Sequence, residues 1–202
     1  MEMNTHACLE LLRTQEIGRL AVSITDYPDT FPINCNAEHV LLPGGLRVDF
    51  LRIQSSDEDR LQDFHHRLSP DTIRRRFFYV HPELSPAELR RFTHVDHVNR
   101  EAIVAVADGE IVAVARFDRI DSGLDAEVAF VVADSWQGRG LGTALLSRLA
   151  ARARHVGIAR FTAATLPDNA PMLSVFHHAG LPITERYDEG IVELTLDLAL
   201  RP

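Results

Sequence analysis

Apolar positions along this chain switch between two periods, and the switches mark out its elements. Leu9 and Leu12 share one face of a short helix over Thr5–Arg13, after which Gly18–Ile24 reads as a strand. Pro28-Asp29 marks a turn, Phe31–Asn36 a second strand and His39–Leu42 a third, closed by Pro43-Gly44-Gly45. Leu46, Val48 and Phe50 alternate as a strand, and Ser56 opens a helix with Asp57, Glu58 and Asp59 in its first turn, where negative charge suits the positive helix end. Ser85-Pro86-Ala87-Glu88 is a second helix start, with an N-cap Ser, Pro at the first helical position and Glu at the third. Glu101–Ala107 and Ile111–Phe117 are β-rich runs joined by Asp108-Gly109, a hairpin turn. Ala126–Val132 is an apolar run expected to form a strand buried on both faces. Leu141, Leu145 and Leu149 give Gly140–His155 a helical period that stops at Gly157. Arg160–Thr165 then reads as a strand, Asn169–His178 as a helix ended by Gly180, and Ile191–Leu198 as a last alternating strand.

The order of these elements predicts a mixed α/β (α+β) layer fold: a β meander, then strand–helix–strand–helix–strand. It also divides the chain at the Pro43-Gly44-Gly45 break into 1–45, a short β-rich appendage, and 46–200, the principal domain. Three short strands in the first part bury too little surface to stand alone, so that part must lean on the rest of the chain or on a second copy.

Composition narrows the function classes. Lys+Arg 21 against Asp+Glu 29 gives a net charge of −8, which argues against a general nucleic-acid binder, since that needs a basic face. No apolar run approaches the ~20 residues that span a bilayer, and the first residues lack the basic start and apolar core of a secretory signal. The two cysteines, Cys8 and Cys35, form neither a disulfide framework nor a metal spacing. The expectation is a reduced, cytoplasmic protein that binds no nucleic acid and no membrane.

The chemistry-bearing stretch follows the apolar strand: Asp134-Ser135-Trp136-Gln137-Gly138-Arg139-Gly140-Leu141-Gly142-Thr143. Here a strand passes through a short loop into a helix whose start carries three glycines. Amides at a helix start have no intrahelical partner, point outward and sit at the positive end of the dipole. With side chains missing, an anion can approach the backbone, which makes this a pyrophosphate cradle. A dinucleotide fingerprint needs G-x-G-x-x-G after the first strand, and a P-loop needs Lys-Ser/Thr after its last glycine; the spacing here fits neither.

Gln137-x-x-Gly140-x-Gly142 resembles the acetyl-CoA signature of the GNAT family of N-acetyltransferases, and a second motif of that family stands at Asp168-Asn169-Ala170-Pro171-Met172-Leu173-Ser174-Val175-Phe176-His177-His178-Ala179-Gly180-Leu181. The resemblance covers about residues 46–200. It implies a GNAT-type mixed sheet flanked by helices, with acetyl-CoA as cosubstrate. It also implies that Gln137, Gly138, Arg139, Gly140, Leu141, Gly142 and Thr143 hold the pyrophosphate, that the strand end Phe130, Val131 and Val132 pairs with the pantetheine arm, and that Asn169 reaches the same arm. Leu68-Ser69-Pro70, Arg76-Phe77-Phe78, Leu84-Ser85-Pro86-Ala87-Glu88-Leu89, Phe92-Thr93-x-x-Asp96 and Ala126-Glu127-Val128-Ala129 resemble bacterial protein lysine acetyltransferases, including those that silence acyl-CoA synthetases.

Lysine is protonated at neutral pH (reference pKa ~10.4), and only its free base attacks a thioester, so a proton acceptor is required. Glu127 stands in an otherwise apolar strand, where desolvation suits a general base, and the resembled family gives the Glu of this strand that role. A strand-end N–H at Val131 or Val132 is the candidate oxyanion donor. Many family members place a Tyr seven residues after the motif Asn to protonate the leaving thiolate; here that position is Phe176, which cannot donate, leaving His177, water or departure as the bare thiolate. Acetylation of a small-molecule amine and a non-catalytic acyl-CoA sensor are the two rival readings.

Other features carry weaker chemistry. His94 and His97 share an i,i+3 spacing without a third strong ligand nearby, so no metal is expected. Arg74-Arg75-Arg76 reads as a solvated helix face, with docking of an acidic partner or of the CoA 3′-phosphate as the alternative. Cys8–Val22 followed by Phe31-Pro32-Ile33-Asn34 resembles the opening of pyridoxamine-phosphate-oxidase-like flavin-binding split barrels. The strands that would complete a flavin site are missing, so no flavin is expected. The fragment is read as packing material or as a homodimer contact through its strand edge.

Overall fold

The computed structural model describes residues 18–25, 27–33, 38–42 and 45–199. The chain divides into two compact units, Met1–His39 and Val40–Pro202. In the first, β1 (Gly18–Thr25) and β2 (Tyr27–Ile33) form an antiparallel hairpin. Pro28 and Asp29, expected in the turn, instead lie inside β2 and pair with Ser23 and Val22, so the chain reverses earlier, between Thr25 and Tyr27. The helix expected over Thr5–Arg13 falls outside the described residues.

The second unit is built on a sheet with the strand order β3-β4-β5-β6-β7-β8-β10-β9. The strands are β3 (Glu38–Leu42), β4 (Leu46–Arg52), β5 (Arg100–Ala107), β6 (Glu110–Arg119), β7 (Asp125–Val132), β8 (Arg160–Thr165), β9 (Ile183–Asp188) and β10 (Ile191–Asp197). The helices are α1 (Glu58–His66), α2 (Pro70–Phe77), α3 (Pro86–Thr93), α4 (Leu141–His155) and α5 (Ala170–His177). Asp108 and Gly109 both take positive φ (50° and 82°) in the β5–β6 turn, as an Asp-Gly hairpin requires.

Each face of the sheet buries its own core. On one, Leu141, Leu145, Leu149 and Ala153 of α4 pack on Ala113, Ala115, Phe117, Ala126, Val128 and Phe130. On the other, Leu61 and Phe64 of α1 and Ile73 of α2 cover Val104, Val106 and Val114. At about 1.5–3 kcal/mol for each large side chain removed from water, these two layers hold the central strands rigid. Helices on both faces give the α/β layer fold expected from the element order.

Two elements were not legible in the apolar pattern. α2 begins at Ser69, whose hydroxyl accepts from the Thr72 amide at 3.2 Å, with Pro70 at the first helical position. β9 is exposed at every residue after Ile183, so it shows no alternation.

Candidate active site

β7 and β8 run parallel and pair at Asp125–Arg160, Ala126–Phe161 and Glu127–Thr162. Beyond that register they part, and a cleft of about 500 Å3 opens, with Val128–Val132 along one wall and Ala163–Thr165 along the other. Ala133 N donates to Val112 O and Ile120 N to Asp125 O, both at 2.9 Å, so odd-numbered residues of β7 direct their backbone groups at β6. By the alternation of an antiparallel ladder, the amides and carbonyls of Val128, Phe130 and Val132 face the side that β8 has left. Val131, in contrast, directs its N–H at Val114.

The far end of the cleft is the glycine loop. Gly138 (φ 72°) and Gly140 (φ 84°) occupy the left-handed region, and Gly140 is the N-cap of α4 with no side-chain cap bond. The first-turn amides of α4 therefore have no intrahelical acceptor, and Leu141, Gly142 and Thr143 line the cleft. Gly142 has a different reason to be glycine: a Cβ there would stand 2.8 Å from Val175 Cγ2, so this residue permits close packing of α4 on α5. Arg139 is not on the cleft wall; its guanidinium lies over the Trp136 ring at 5.3 Å.

A polar cluster bolts α2 to this loop. Asp134 accepts from Ser69 N (2.9 Å), Ser69 Oγ (2.6 Å) and Thr72 Oγ1 (2.8 Å). Burial alone would raise the Asp134 carboxyl, but these donors outweigh it and hold the group below the usual carboxylate range. Gln137 Nε2 donates to Thr72 Oγ1 and to Val132 O, each at 3.2 Å, so the first residue of the signature ties the loop both to α2 and to the strand edge. Farther along α2, Arg74 bonds Asp168 at 2.9 Å, just ahead of α5. Held at both ends, α2 places Thr72, Arg75, Arg76 and the C-cap residue Phe78 on the cleft wall. From sequence, Thr72 and Phe78 have no role and Arg75 and Arg76 read as a solvated helix face, with docking of an acidic partner or of the CoA 3′-phosphate as the alternative; the signal that would have placed all four is the Ser69-Pro70 helix start.

From α5 come Asn169, Pro171, Met172, Ser174, Val175 and Phe176. Asn169 reaches the cleft wall, but its carboxamide also caps α5 by accepting from Met172 N at 3.4 Å and donates to Thr165 Oγ1 at 3.2 Å. Phe176 is buried and meets Phe130 edge-to-face, with centroids 5.8 Å apart. His177, considered above as a proton donor, is not on the cleft wall and pairs with Glu185. His178 is the imidazole that lines the cleft, with Nδ1 2.8 Å from Ser174 O.

Glu127 lines the cleft at the last paired register of β7 and β8. It is exposed, so the strand is not buried on both faces: Ala126, Val128 and Phe130 are buried while the alternate positions are open or half-open. The desolvation expected for Glu127 from its apolar neighbours does not follow, because the period-2 alternation turns those neighbours to the opposite face. Thus Glu127, Phe130, Val131, Val132, Gln137, Gly138, Gly140, Leu141, Gly142, Thr143, Asn169 and Phe176 are brought to one cleft, and Arg139 is not. His94 and His97 have separate partners, with Glu58 3.4 Å from the first and Glu101 2.5 Å from the second.

Residues 61–181 match the family model described as the acetyltransferase (GNAT) family. The chain belongs to the GNAT acetyltransferase family. Among its GNAT relatives, the acetyltransferase Pat of Mycolicibacterium smegmatis is 34% identical over 145 residues, 70% of this chain and 43% of that protein. An acetyltransferase of Pseudomonas aeruginosa is 33% identical over 120 residues, 57% of this chain and 64% of the relative. The chain thus spans less than two thirds of the length of these two relatives. The crystal structure of the GNAT domain of S. lividans PAT superposes with a TM-score of 0.75 at 39% identity, covering 80% of this chain and 96% of that one. A cAMP-binding acyltransferase from Mycobacterium smegmatis superposes with a TM-score of 0.59 at 28% identity, covering 81% of this chain and 48% of that one. Among the described residues, no helix is long and apolar enough to cross a membrane.

Proposed function

We propose that this chain transfers the acetyl group of acetyl-CoA directly to a lysine ε-amine of a protein, with Glu127 as general base. The observation that carries the reading is the convergence, in one cleft, of the free amides at the α4 start, the unpaired edge of β7 and the carboxylate of Glu127. The cleft volume of about 500 Å3 is in the range of a cosubstrate site. Within this reading the Gly138–Thr143 amides hold the pyrophosphate, and the backbone of Val128, Phe130 and Val132 pairs with the pantetheine amides as a replacement strand. Glu127, at the mouth of the parting strands, takes the ammonium proton directly or through one water. The neutral amine nitrogen then attacks the thioester carbonyl, forming C–N as C–S breaks, and the nitrogen releases its surplus proton to water. The N–H of Val132 is the oxyanion donor of choice, since that of Val131 is directed at β6. With Phe176 unable to donate, the sulfur leaves as a thiolate, or takes a proton from water or from His178. The resemblance to bacterial protein lysine acetyltransferases, and the exposure of Phe78 and Glu127 on the cleft wall, favour a macromolecular acceptor.

The chain contains no lysine, since all 21 basic residues are arginine. Label transferred from acetyl-CoA to a lysine therefore cannot come from self-modification of a side chain. Incubation with labelled acetyl-CoA and a lysine-bearing cell lysate is expected to yield hydroxylamine-stable amides on lysines of other proteins. Label confined to small amines would overturn the protein-acceptor reading. Absence of transfer to any amine would leave an acyl-CoA sensor instead.

A further inference from the structure

Among the described residues, two guanidinium groups without a carboxylate partner lie on the face of the sheet that carries Glu127, one on the cleft wall and one buried behind it. Arg76, in the last turn of α2, lines the cleft, and among the described residues no carboxylate stands at ion-pair distance from it; its guanidinium lies over the Phe77 ring at 4.9 Å. Arg116 of β6 is 8% exposed, stacks on the Phe92 ring at 4.1 Å and donates to Phe92 O at 3.2 Å, again without a carboxylate partner in that range. Register places Arg116 opposite Ala129 and Asp118 opposite Glu127, so all four residues project from the same face of the sheet as the helix that carries Arg76. Burial lowers both guanidinium groups from their ordinary value, Arg116 to about 9 with the neighbouring Arg76 adding repulsion, while Glu127 and Asp118 attract Arg76 from a distance. The guanidinium of an arginine stays protonated in proteins, and of these two Arg76 is the one that lines the cleft.

A cation and an anion, Arg76 and Glu127, thus line the same cleft without forming an ion pair. Their complement is a substrate that presents a carboxylate next to its reacting group. We infer that Arg76 is a specificity residue that holds a carboxylate of the substrate while the amine is delivered to Glu127. This rests on the acyl-transfer reading given above. The favoured source is an acidic side chain flanking the acceptor lysine, because an ammonium beside a carboxylate matches the Glu127–Arg76 pair in sign and order. A free amino acid, or a donor acyl chain ending in a carboxylate, offers the same chemistry. Arg76 can hold such a group with a fork of donors, a geometry that lysine reproduces only as a point charge.

The test is a set of kcat/KM ratios for the whole chain, its Arg76→Gln variant and its Arg76→Lys variant. One arm compares peptides with Asp or Asn beside a single lysine. A second compares an amino acid with its decarboxylated amine, and a third compares succinyl-CoA with butyryl-CoA. The wild type is expected to prefer the carboxylate-bearing member of one arm by roughly 10- to 100-fold, the range of a charge-assisted hydrogen bond. Arg76→Gln is expected to bring that ratio close to one, and Arg76→Lys to restore part of it, which a merely structural role for the side chain would not do. The arm that responds identifies the source of the carboxylate. Ratios that are the same in wild type and Arg76→Gln across all three arms, with turnover present, overturn this inference and leave acyl transfer standing. No turnover with any amine overturns acyl transfer, and this inference with it.

Discussion

Gly138, Gly140 and Gly142 are indistinguishable as letters in a signature, yet they answer different constraints. Gly140 needs a left-handed backbone at the α4 cap and has open space around it, whereas Gly142 has an ordinary backbone and no room. Gly140→Ala is therefore expected to strain the loop by about 1–2 kcal/mol and to weaken acetyl-CoA binding. Gly142→Ala is expected to cost about 1–3 kcal/mol through overpacking against Val175, lowering Tm, with recovery in the Gly142→Ala/Val175→Ala pair. Thermal unfolding and acetyl-CoA titration of the three variants separate the two causes; a Gly142→Ala protein as stable as wild type would contradict the packing account. The sequence singled out Glu127 and the glycines, which line one cleft, but their surroundings depend on packing. The apolar residues on either side of Glu127 in the chain point away from it, so linear neighbours misjudged its exposure.

Elements with a strong internal period were legible: α4 through its leucine stripe, β5 and β6 through their apolar runs and the Asp108-Gly109 turn. α2 was not, because its eight residues offer only Ile73 and Phe77 as large apolar positions among three arginines, and its evidence lies in the Ser69 cap. That omission mattered for function, since α2 supplies Arg75, Arg76 and Phe78 to the cleft. β9 escaped notice because an edge strand exposed on both faces needs no alternation. The turn at Pro28-Asp29 was placed too late because turn-prone residues also fit the first positions of a strand, where a missing N–H is tolerated. No residue pattern announced the parting of β7 from β8, which creates the cleft.

Across the whole molecule, one buried carboxylate joins sheet and helix. Glu101, 1% exposed at the start of β5, accepts from Arg152 Nε of α4 at 3.0 Å and lies 3.2 Å from Arg52 Nη2 of β4 and 2.5 Å from His97 Nδ1. Burial would raise its carboxyl, but His97, Arg52 and Arg152 together hold it below its ordinary value of 4.5. A carboxyl lowered by folding binds fewer protons than in the unfolded chain, so its stabilisation is complete above the ordinary value and is lost as pH falls through the folded one. Glu101→Gln is expected to cost about 3–5 kcal/mol at neutral pH, leaving buried cations uncompensated, and the gap to wild type is expected to narrow as pH drops below about 4.5. Urea denaturation at pH 7 and pH 4 measures both; a gap that does not depend on pH would place the cost elsewhere. This sheet-and-helix frame holds the cleft in which Glu127 is proposed to act as base. The decisive comparison is between wild type and Glu127→Gln, assayed for acetyl transfer and for acetyl-CoA affinity in the same preparation. Turnover is expected to fall by about 10²–10⁴-fold, the scale of general acid–base catalysis, with affinity for acetyl-CoA nearly unchanged. Turnover equal to wild type would contradict that role for Glu127.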